Sequence, residues 1–404
     1  MLQKKKIIVR IFFLEAFLFF TAFTFASCSK KISQEQVQYK DFSEFEFNGK
    51  ILTGKKIQTS YASQFCIYEY QNGISLIDIC GKEKYLVVPK EEYNGGLKEA
   101  TKVNAVIPRG IENIYLASSS AYSLWDAIGA EEKLGFSSIK ENDWYIPKAS
   151  NAMKSGKLVY AGKYRMPDYE LLLKSGCKLA IESTMILHVP KVKEKLEQLG
   201  ISVFTDYSSY EDNPLGRLEW IKVYGEISGC QEKALSFFDS QIELLKKSIP
   251  DSALKNNGSS KKIAASYFYI NTRGMAIVRG SENYISNMLR YAGAEYLCPK
   301  IKKDSDLKSR PTLSVSMEEF YKASKTADFL FYDGNIDSSC TSLSMLKEKN
   351  PLLAEFDAVK KSNVWCAKKT IYQDTAQITK IILDVNKIFS GGGEEEITFF
   401  ERLK

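Results

Sequence analysis

Histidine is nearly absent from this sequence, because only His188 of its 404 residues is a histidine. Sites that capture a bare zinc or manganese ion draw on several imidazoles together with carboxylates, so direct capture of such a metal is not expected. We expect His188, which precedes Val189-Pro190, to be a surface or helix-capping residue. The alternative is that its imidazole serves as an axial ligand to the metal of a bound macrocycle.

The motifs that mark the common enzyme classes are missing as well. The sequence has no Gly-x-Gly-x-x-Gly, no phosphate-binding loop, no Gly-x-Ser-x-Gly and no His-Glu-x-x-His. A Ser-His-Asp hydrolase would have to use His188, and no nucleophile motif lies near that residue. The chain is therefore predicted not to be an enzyme and to hold no resident cofactor or metal.

The chain also has little excess charge once its first residues are set aside. The formal net charge of +7 includes Lys4, Lys5, Lys6 and Arg10, and the other basic residues are scattered among Asp and Glu. This pattern lacks the clustered basic surface that binds nucleic acid, so no nucleic-acid partner is expected.

The N-terminus has the features of a secretion signal. Its basic start is followed by the apolar run 11–26, which has the length of a signal sequence and is short for a membrane span. The run ends in Phe25-Ala26-Ser27-Cys28, which resembles the lipobox of bacterial lipoproteins. That resemblance implies that residues 1–27 are a lipoprotein signal peptide and that Cys28 is acylated. An ordinary signal peptide and an uncleaved anchor are the alternatives.

Eight cysteines are present, and none of them forms a CxxC pair. Two of them, Cys66 and Cys80, flank a predicted hairpin with its turn at Asn72-Gly73. A two-residue turn would place Cys66 opposite Ile79, so we do not predict a disulfide between this pair. Most of the cysteines lie in apolar runs and are expected to be core residues.

The remaining pattern predicts an α/β protein with two lobes. Short apolar strands alternate with amphipathic helices from residue 111 onwards, which predicts mainly parallel sheets flanked by helices. The predicted parts are a tether at 28–45, an N-terminal extension of β-strands at 46–110, an N-terminal lobe at 111–212, a single long interlobe helix at 213–250 and a C-terminal lobe at 251–404.

Three groups of segments share their order and spacing with a known family. They are Pro167–Leu173 with Cys177–Ile181, Lys195–Val203 with Leu218–Ile221 and Tyr224-Gly225, and Val315–Phe320 with Ala327–Phe331. This order resembles the substrate-binding proteins of ABC importers for iron-siderophores, haem and cobalamin. The resemblance covers about residues 111–389 and implies two lobes, one long helix between them, and binding without catalysis.

The resemblance also implies a pair of docking residues. In such proteins, glutamates on the outer face of each lobe meet arginines of the membrane permease, and the matching positions here are Glu170 and Glu318. Both lie in a first helical turn, where the helix dipole favours glutamate in any case. Ser316 and Glu319 fit a capping box, which would leave Glu318 the freer of the two adjacent carboxylates.

The candidate ligand residues follow from the rule that parallel sheets bind ligands beyond the carboxyl ends of their strands. Arginine offers a planar donor fork to anionic oxygens, and tyrosine and tryptophan offer flat apolar faces with a polar tip. This mixture suits a bulky, anionic and partly aromatic chelate. The candidates are Ser118, Ser119, Trp144, Tyr145, Tyr164, Arg165, Ser183 and Tyr207 in the first lobe, and Arg273, Arg279 and Tyr372 in the second.

The predicted function is therefore that of an extracytoplasmic binding protein, anchored by lipid to a bacterial membrane in the periplasm or at the cell surface. It is expected to be a monomer that captures a ferric siderophore and delivers it to the permease and ATPase of an ABC importer. Haem and cobalamin are the alternative ligands. An adhesive or structural surface lipoprotein is the alternative from another class.

Overall fold

The computed structural model describes residues 39–93, 102–249, 262–299 and 312–404. The predicted signal peptide, Cys28 and most of the predicted tether lie outside the described residues. Among the helices in these four ranges, we find none with the length and apolar character that crossing a bilayer requires.

The extension predicted at 46–110 is a β-sheet. Its order is β1-β2-β3-β4-β5-β6, antiparallel throughout except for the parallel pair β5–β6. Strand β2 pairs with β1 through its first half and with β3 through its second half. Its strands are β1 Glu44–Phe47, β2 Lys50–Ile57, β3 Phe65–Tyr70, β4 Ser75–Ile79, β5 Glu83–Val88 and β6 Ala105–Pro108. We call this the N-terminal sheet.

The predicted hairpin is present, but its register differs from the expected one. Tyr70 donates its backbone N–H to Ile74 O at 2.8 Å, so three residues rather than two form the turn. Asn72 and Gly73 both take positive φ angles, 63° and 71°, as the Asn-Gly pair predicts. The extra residue moves the pairing by one position, and Cys66 lies opposite Asp78 rather than Ile79. The seven cysteines of the described residues are all free.

The N-terminal lobe is built on a parallel sheet of order β13-β12-β7-β8-β9. Its strands are β7 Ile114–Leu116, β8 Leu134–Ser137, β9 Val159–Tyr160, β12 Leu179–Ser183 and β13 Ser202–Asp206. A short hairpin, β10 Gly162–Lys163 and β11 Met166–Pro167, follows β9. The helices are α1 Tyr122–Ala127, α2 Pro147–Lys154, α3 Tyr169–Lys174 and α4 Pro190–Gln198. Two of them, α2 and α4, begin with proline at the first turn, where its missing N–H costs nothing.

The segment after the first lobe corrects one expectation, because a single unbroken helix does not span it. Three helices do: α5 Pro214–Glu219, α6 Ile221–Ser228 and α7 Gln231–Ser248. The main break follows Ser228, where Gly229 takes a φ of 81° and ends α6 in the left-handed conformation. A Cβ on Gly225 would come within 2.7 Å of the Ala234 Cβ, which shows how closely α6 and α7 pack after the turn. We call residues 211–249 the connector.

The C-terminal lobe has a mixed sheet of order β17-β15-β14-β18-β19-β20, with β16 also paired to β14. The pairs β14–β18, β18–β19 and β14–β16 are parallel, and the outer strands β15, β17 and β20 are antiparallel. The strands are β14 Ala264–Ile270, β15 Ala276–Arg279, β16 Glu295–Tyr296, β17 Thr312–Val315, β18 Phe329–Tyr332, β19 Val364–Ala367 and β20 Phe400–Arg402. The helices are α8 Tyr284–Tyr291, α9 Met317–Ser324, α10 Leu343–Lys349, α11 Asp357–Lys360 and α12 Ile378–Phe389.

One apolar core runs through the N-terminal sheet, the first lobe, the connector and part of the second lobe. The N-terminal sheet enters it through ring contacts. Phe65 packs edge-on against Trp220 of the connector at 5.2 Å between ring centres, and Tyr85 packs on Phe204 of β13 at 4.6 Å. The sheet is therefore part of the folded body and not an appended module.

Candidate ligand-binding site between the lobes

The carboxyl end of the first lobe's sheet carries a buried hydroxyl–carboxylate network. Ser118 donates its hydroxyl to Asp206 Oδ2 at 2.6 Å, and Tyr224 donates its hydroxyl to the same oxygen at 2.8 Å. The backbone N–H of Ser208 donates to Asp206 Oδ1 at 2.6 Å. Ser118 is therefore committed to the protein's own hydrogen bonds, whereas its neighbour Ser119 is half-buried in the turn that follows β7.

Two short turns follow β12 and β13 at this edge. Ser183 accepts a hydrogen bond from Met185 N at 3.4 Å, and Tyr207 packs on Tyr210 at 5.7 Å between ring centres. The hydroxyls of Thr184 and Ser209 are 3.5 Å apart, so the two turns lie side by side. The prediction that Ser183 and Tyr207 share one edge of the sheet agrees with this arrangement.

In the second lobe, Arg279 and Tyr372 meet around a carboxylate that the sequence analysis did not name. Arg279 Nη2 donates to Asp333 Oδ2 at 2.5 Å and also contacts the Tyr372 hydroxyl, which donates to the same carboxylate oxygen at 2.7 Å. The Tyr267 hydroxyl lies 3.3 Å from that of Tyr372. Burial raises the pKa of Tyr372, so its phenol stays protonated and can donate. We call Arg279, Asp333, Tyr372 and Tyr267 the Arg279 cluster.

A second arginine that the sequence analysis missed joins the two lobes. Arg217, on α5, donates to Ser209 O of the first lobe at 2.7 Å. Its guanidinium lies 3.4 Å from the ring centre of Tyr284, the first residue of α8 in the second lobe. Burial raises the pKa of Tyr284, while Arg217 and Arg279 both favour its ionised form.

The lobes also touch through a glutamine side chain that the sequence gave no reason to single out. Gln373 Nε2 donates to Asp143 O, and Gln373 Oε1 accepts from Tyr145 N, both at 2.8 Å. These two hydrogen bonds attach the loop that carries Trp144 and Tyr145, two of the predicted ligand residues, to the second lobe. Trp144 itself is buried, and its indole N–H donates to Ser137 Oγ at 3.3 Å.

Three predicted ligand residues lie in hairpin turns, where Arg165 and Arg273 are exposed and Tyr164 is half-buried. Tyr164 and Arg165 form the turn between β10 and β11, where Arg165 Nε donates to the Tyr164 hydroxyl at 2.8 Å. Arg273 is exposed in the turn between β14 and β15, where its backbone N–H donates to Asn271 Oδ1 at 2.9 Å. Among the described residues, none of the hydrogen bonds of these three residues joins them to the Arg279 cluster.

Glu170 and Glu318, the predicted docking residues, are both exposed in the first turn of a helix. The predicted capping box is confirmed, since Ser316 N donates to Glu319 Oε2 at 3.0 Å and Glu319 N donates to Ser316 Oγ at 3.2 Å. Glu319 is thus used within the helix, and the exposed Glu318 is the freer carboxylate.

The described residues contain no group of three or more metal-ligating side chains that could hold an ion. His188 is exposed at the end of the turn that follows β12, consistent with a surface residue.

Comparison with known proteins identifies the family. The model of the periplasmic binding protein family matches residues 115–370, which is more than half of the chain. The chain belongs to the periplasmic binding protein family. The fold of this periplasmic binding protein is that of the two-lobed substrate-binding proteins of ABC importers, and the N-terminal sheet lies outside the matched residues.

Individual relatives agree with this assignment. An uncharacterised lipoprotein of Methanocaldococcus jannaschii is 23% identical over 297 residues, which are 70% of this chain and 66% of the relative. A second uncharacterised lipoprotein of the same organism is 22% identical over 98% of this chain and its own whole length. The crystal structure of a periplasmic haem-binding protein from Pseudomonas aeruginosa has a TM-score of 0.56 at 17% identity and covers 72% of this chain and 97% of that one.

Proposed function

We propose that this periplasmic binding protein captures a ferric siderophore between its lobes and delivers it to the permease and ATPase of an ABC importer. The observation that carries the proposal is a pair of fixed arginines at the boundary of the two lobes. Arg217 joins Ser209 O of the first lobe to the Tyr284 ring of the second, and Arg279 is paired with Asp333. Both guanidiniums are held by rings or carboxylates of the protein, so their orientation is set before a ligand arrives.

The chemistry of this boundary favours an anionic ligand with flat apolar parts. Arginine binds carboxylate and related oxygens through a planar pair of donors, and tyrosine rings offer apolar faces with a hydroxyl at the edge. A ferric chelate with anionic oxygens and aromatic groups presents both features. No step in this scheme makes or breaks a covalent bond, so the proposed role is binding without catalysis.

The proposed location is extracytoplasmic, with the chain held at the membrane by a lipid on Cys28 and acting as a monomer. The basic and apolar N-terminal sequence supports secretion. The two Methanocaldococcus jannaschii relatives are named as lipoproteins, which supports the lipid anchor.

Haem is the second candidate ligand, because a solved structure with this fold is a haem-binding protein. A porphyrin with its propionates would also suit arginines beside aromatic rings. Cobalamin is the third candidate, from the same importer class.

The absorption spectrum and metal content of the purified mature chain test the proposal first, because ferric siderophores, haem and cobalamin have distinct spectra. Thermal stabilisation by each ligand then ranks them, since a ligand that binds only the folded state raises its stability. Stabilisation by a ferric siderophore supports the proposal. Stabilisation by haemin or cobalamin alone would replace the siderophore with that ligand, and no stabilisation by any of the three would refute chelate binding.

A matched pair of variants tests the proposed role of Arg279 in ligand binding. Arg279→Lys keeps the positive charge beside Asp333 but loses the donor fork, and we expect affinity for the bound chelate to fall about 10- to 100-fold, the value of a charge-assisted hydrogen bond. Arg290→Lys, at an exposed position of α8 to which no ligand role is assigned, should leave affinity unchanged in the same calorimetric titration. Equal affinities for the two variants would contradict the role of Arg279.

A further inference from the structure

The N-terminal sheet lies outside the residues matched to the family, yet one of its loops is bound by the connector that joins the lobes. This loop, residues 58–64, runs between β2 and β3. The backbone amides of residues 60–64 all donate to two glutamates of the connector, Glu219 and Glu211. We call these two side chains and the five amides the carboxylate clasp.

Glu219 holds the first half of the loop. Its carboxylate accepts from Ser60 N at 2.9 Å and from Tyr61 N and Ala62 N at 2.8 Å each. Lys222, one turn later, donates to the same carboxylate at 2.7 Å and to Gln58 O at 3.3 Å. Glu219 is fully buried, and a buried carboxylate is tolerated only when it is paired and hydrogen-bonded, as this one is.

Glu211 holds the second half. Its carboxylate accepts from Ser63 N and Ser63 Oγ at 2.8 Å each, and from Gln64 N at 2.9 Å. The indole N–H of Trp220 donates to the same carboxylate at 3.0 Å, which ties α6 to the clasp. Burial raises the pKa of Glu211, and the hydrogen bonds from Ser63, Gln64 and Trp220 oppose that rise because they favour the ionised form. Hydrogen bonds to an ionised acceptor are about twice as strong as those to a neutral one.

Two further contacts extend the attachment over the whole connector. A Cβ on Gly216 of α5 would lie 2.8 Å from Tyr61 O, so the loop packs directly on that helix. The Tyr61 ring packs edge-on against Phe238 of α7 at 6.2 Å. Directly after β6, Arg109 pairs with the buried Glu226 of α6 at 2.7 Å. All three helices of the connector therefore contact the N-terminal sheet or its loops.

These contacts span the place where the connector is broken. A single stiff helix resists bending along its length, but three short helices joined at Trp220 and Gly229 have two points at which they can bend. We propose that the N-terminal sheet braces the connector and fixes the angle between the lobes, with Glu211 and Glu219 as the positioning residues. Arg217 lies between these two glutamates in the sequence, and its Nε donates to Glu211 O at 3.2 Å. The clasp therefore also sets the position of the guanidinium that reaches Tyr284.

The test uses the full mature chain without ligand, so it does not depend on the proposed ligand. Spin labels carried by non-canonical amino acids at Lys195 of α4 and Lys347 of α10, both exposed, report the distance between the lobes. For the chain with native glutamates we expect one narrow distance distribution. For Glu211→Gln/Glu219→Gln, which weakens every bond of the clasp, we expect the distribution to widen at least twofold.

Hydrogen exchange at the amides of residues 60–64 shows whether the clasp has opened, and we expect it to speed up more than tenfold in the double variant. Glu46→Gln, on an exposed carboxylate of β1, is the matched control and should change neither readout. If the double variant does not fold, Glu219→Gln alone, which leaves the Glu211 bonds in place, should give a smaller widening. If these amides exchange faster while the distribution of interlobe distances is unchanged, the proposal that the N-terminal sheet braces the connector is wrong.

Discussion

The first lobe buries one glutamate, Glu182, whose carboxyl group has no hydrogen-bond partner among the described residues. Glu182 lies on β12 next to Thr205 of β13 in the parallel register, and both side chains are fully buried. Neither carboxyl oxygen of Glu182 nor the hydroxyl of Thr205 has a hydrogen-bond partner among the described residues. Burial raises the pKa of Glu182 to about 8, so this side chain is neutral in the folded protein below that pH.

This pKa predicts how stability depends on pH. An acid whose pKa is higher in the folded than in the unfolded state costs nothing below the unfolded value, near 4.5, and costs increasingly as pH rises toward 8. We expect Glu182→Gln to remove this cost, so that its advantage in unfolding free energy over the unmodified chain grows by about 1.4 kcal/mol per pH unit across that window, to a few kcal/mol. Urea unfolding at pH 5, 6.5 and 8 measures it. A constant difference between the two proteins would show that Glu182 does not titrate there.

Asp333 presents the opposite case, a buried carboxylate that has an ionic partner. It is fully buried against Arg279, so Asp333→Asn should leave the arginine without its counter-ion and lower the unfolding free energy by roughly 3 kcal/mol. The double variant Asp333→Asn/Arg279→Met removes both charges and should recover part of that loss in chemical denaturation. A double variant no more stable than Asp333→Asn would show that the unpaired charge is not the cause.

At the scale of single residues, the sequence predicted some members of the candidate site and missed others, for two different reasons. Arg279 and Tyr372 were predicted from the strand-end rule and do meet in one cluster. Asp333 directly follows β18, so the same rule includes it, but a carboxylate does not suit the anionic ligand that was expected. Arg217 and Gln373 act across the lobe boundary, and that boundary exists only once both lobes are packed.

Among the elements, the connector is where the structure departs most from the sequence prediction. Residues 213–249 were predicted to be helical almost without interruption, and the apolar stripe behind that prediction covers Ala234 to Ile249 only. Periodicity does not register the two-residue turn that separates α6 from α7. The residue that indicates the break is Gly229, which ends α6 in the left-handed conformation that glycine adopts readily. The turn of the 65–79 hairpin shows a similar limit, since Asn-Gly correctly predicted the positive φ angles but not the number of residues in the loop.

The break at Gly229 makes a quantitative prediction. A Cβ at this position would meet Arg109 Cγ at an ordinary 3.5 Å, so the cost of Gly229→Ala is conformational rather than steric. At a φ of 81° we expect a loss of about 1–2 kcal/mol in unfolding free energy. Gly229→Asn is the matched control, because asparagine tolerates this conformation better and should lose less. Equal losses for the two variants would point to a cause other than the backbone angle.

For the molecule as a whole, family membership does not depend on the unbroken helix that was expected. It rests on the match over residues 115–370 and on the two α/β lobes. The longest helix of the connector, α7, still packs against both α6 and α12 of the second lobe. The N-terminal sheet lies outside the residues matched to the family. In the proposed brace, its contacts with α5, α6 and α7 give the connector the stiffness that one unbroken helix would otherwise provide.

The proposed docking on an importer permease belongs to the scale of the whole molecule, because it would use one carboxylate on each lobe at a fixed separation. Glu170 and Glu318 are exposed on different lobes, and exposed charge pairs orient a partner more than they add affinity. We expect Glu170→Lys/Glu318→Lys to abolish uptake in cells while calorimetric affinity for the ligand stays unchanged.

The matched control for docking is Glu197→Lys/Glu348→Lys, which makes the same change of charge on α4 and α10 at exposed positions that no docking role is assigned to. It should leave uptake near that of the unmodified protein. If both double variants lose uptake equally, net charge rather than position explains the effect. If neither loses it, the permease recognises other residues. Because the brace would fix the distance between the two carboxylates, Glu211→Gln/Glu219→Gln should also reduce uptake while both docking residues are intact.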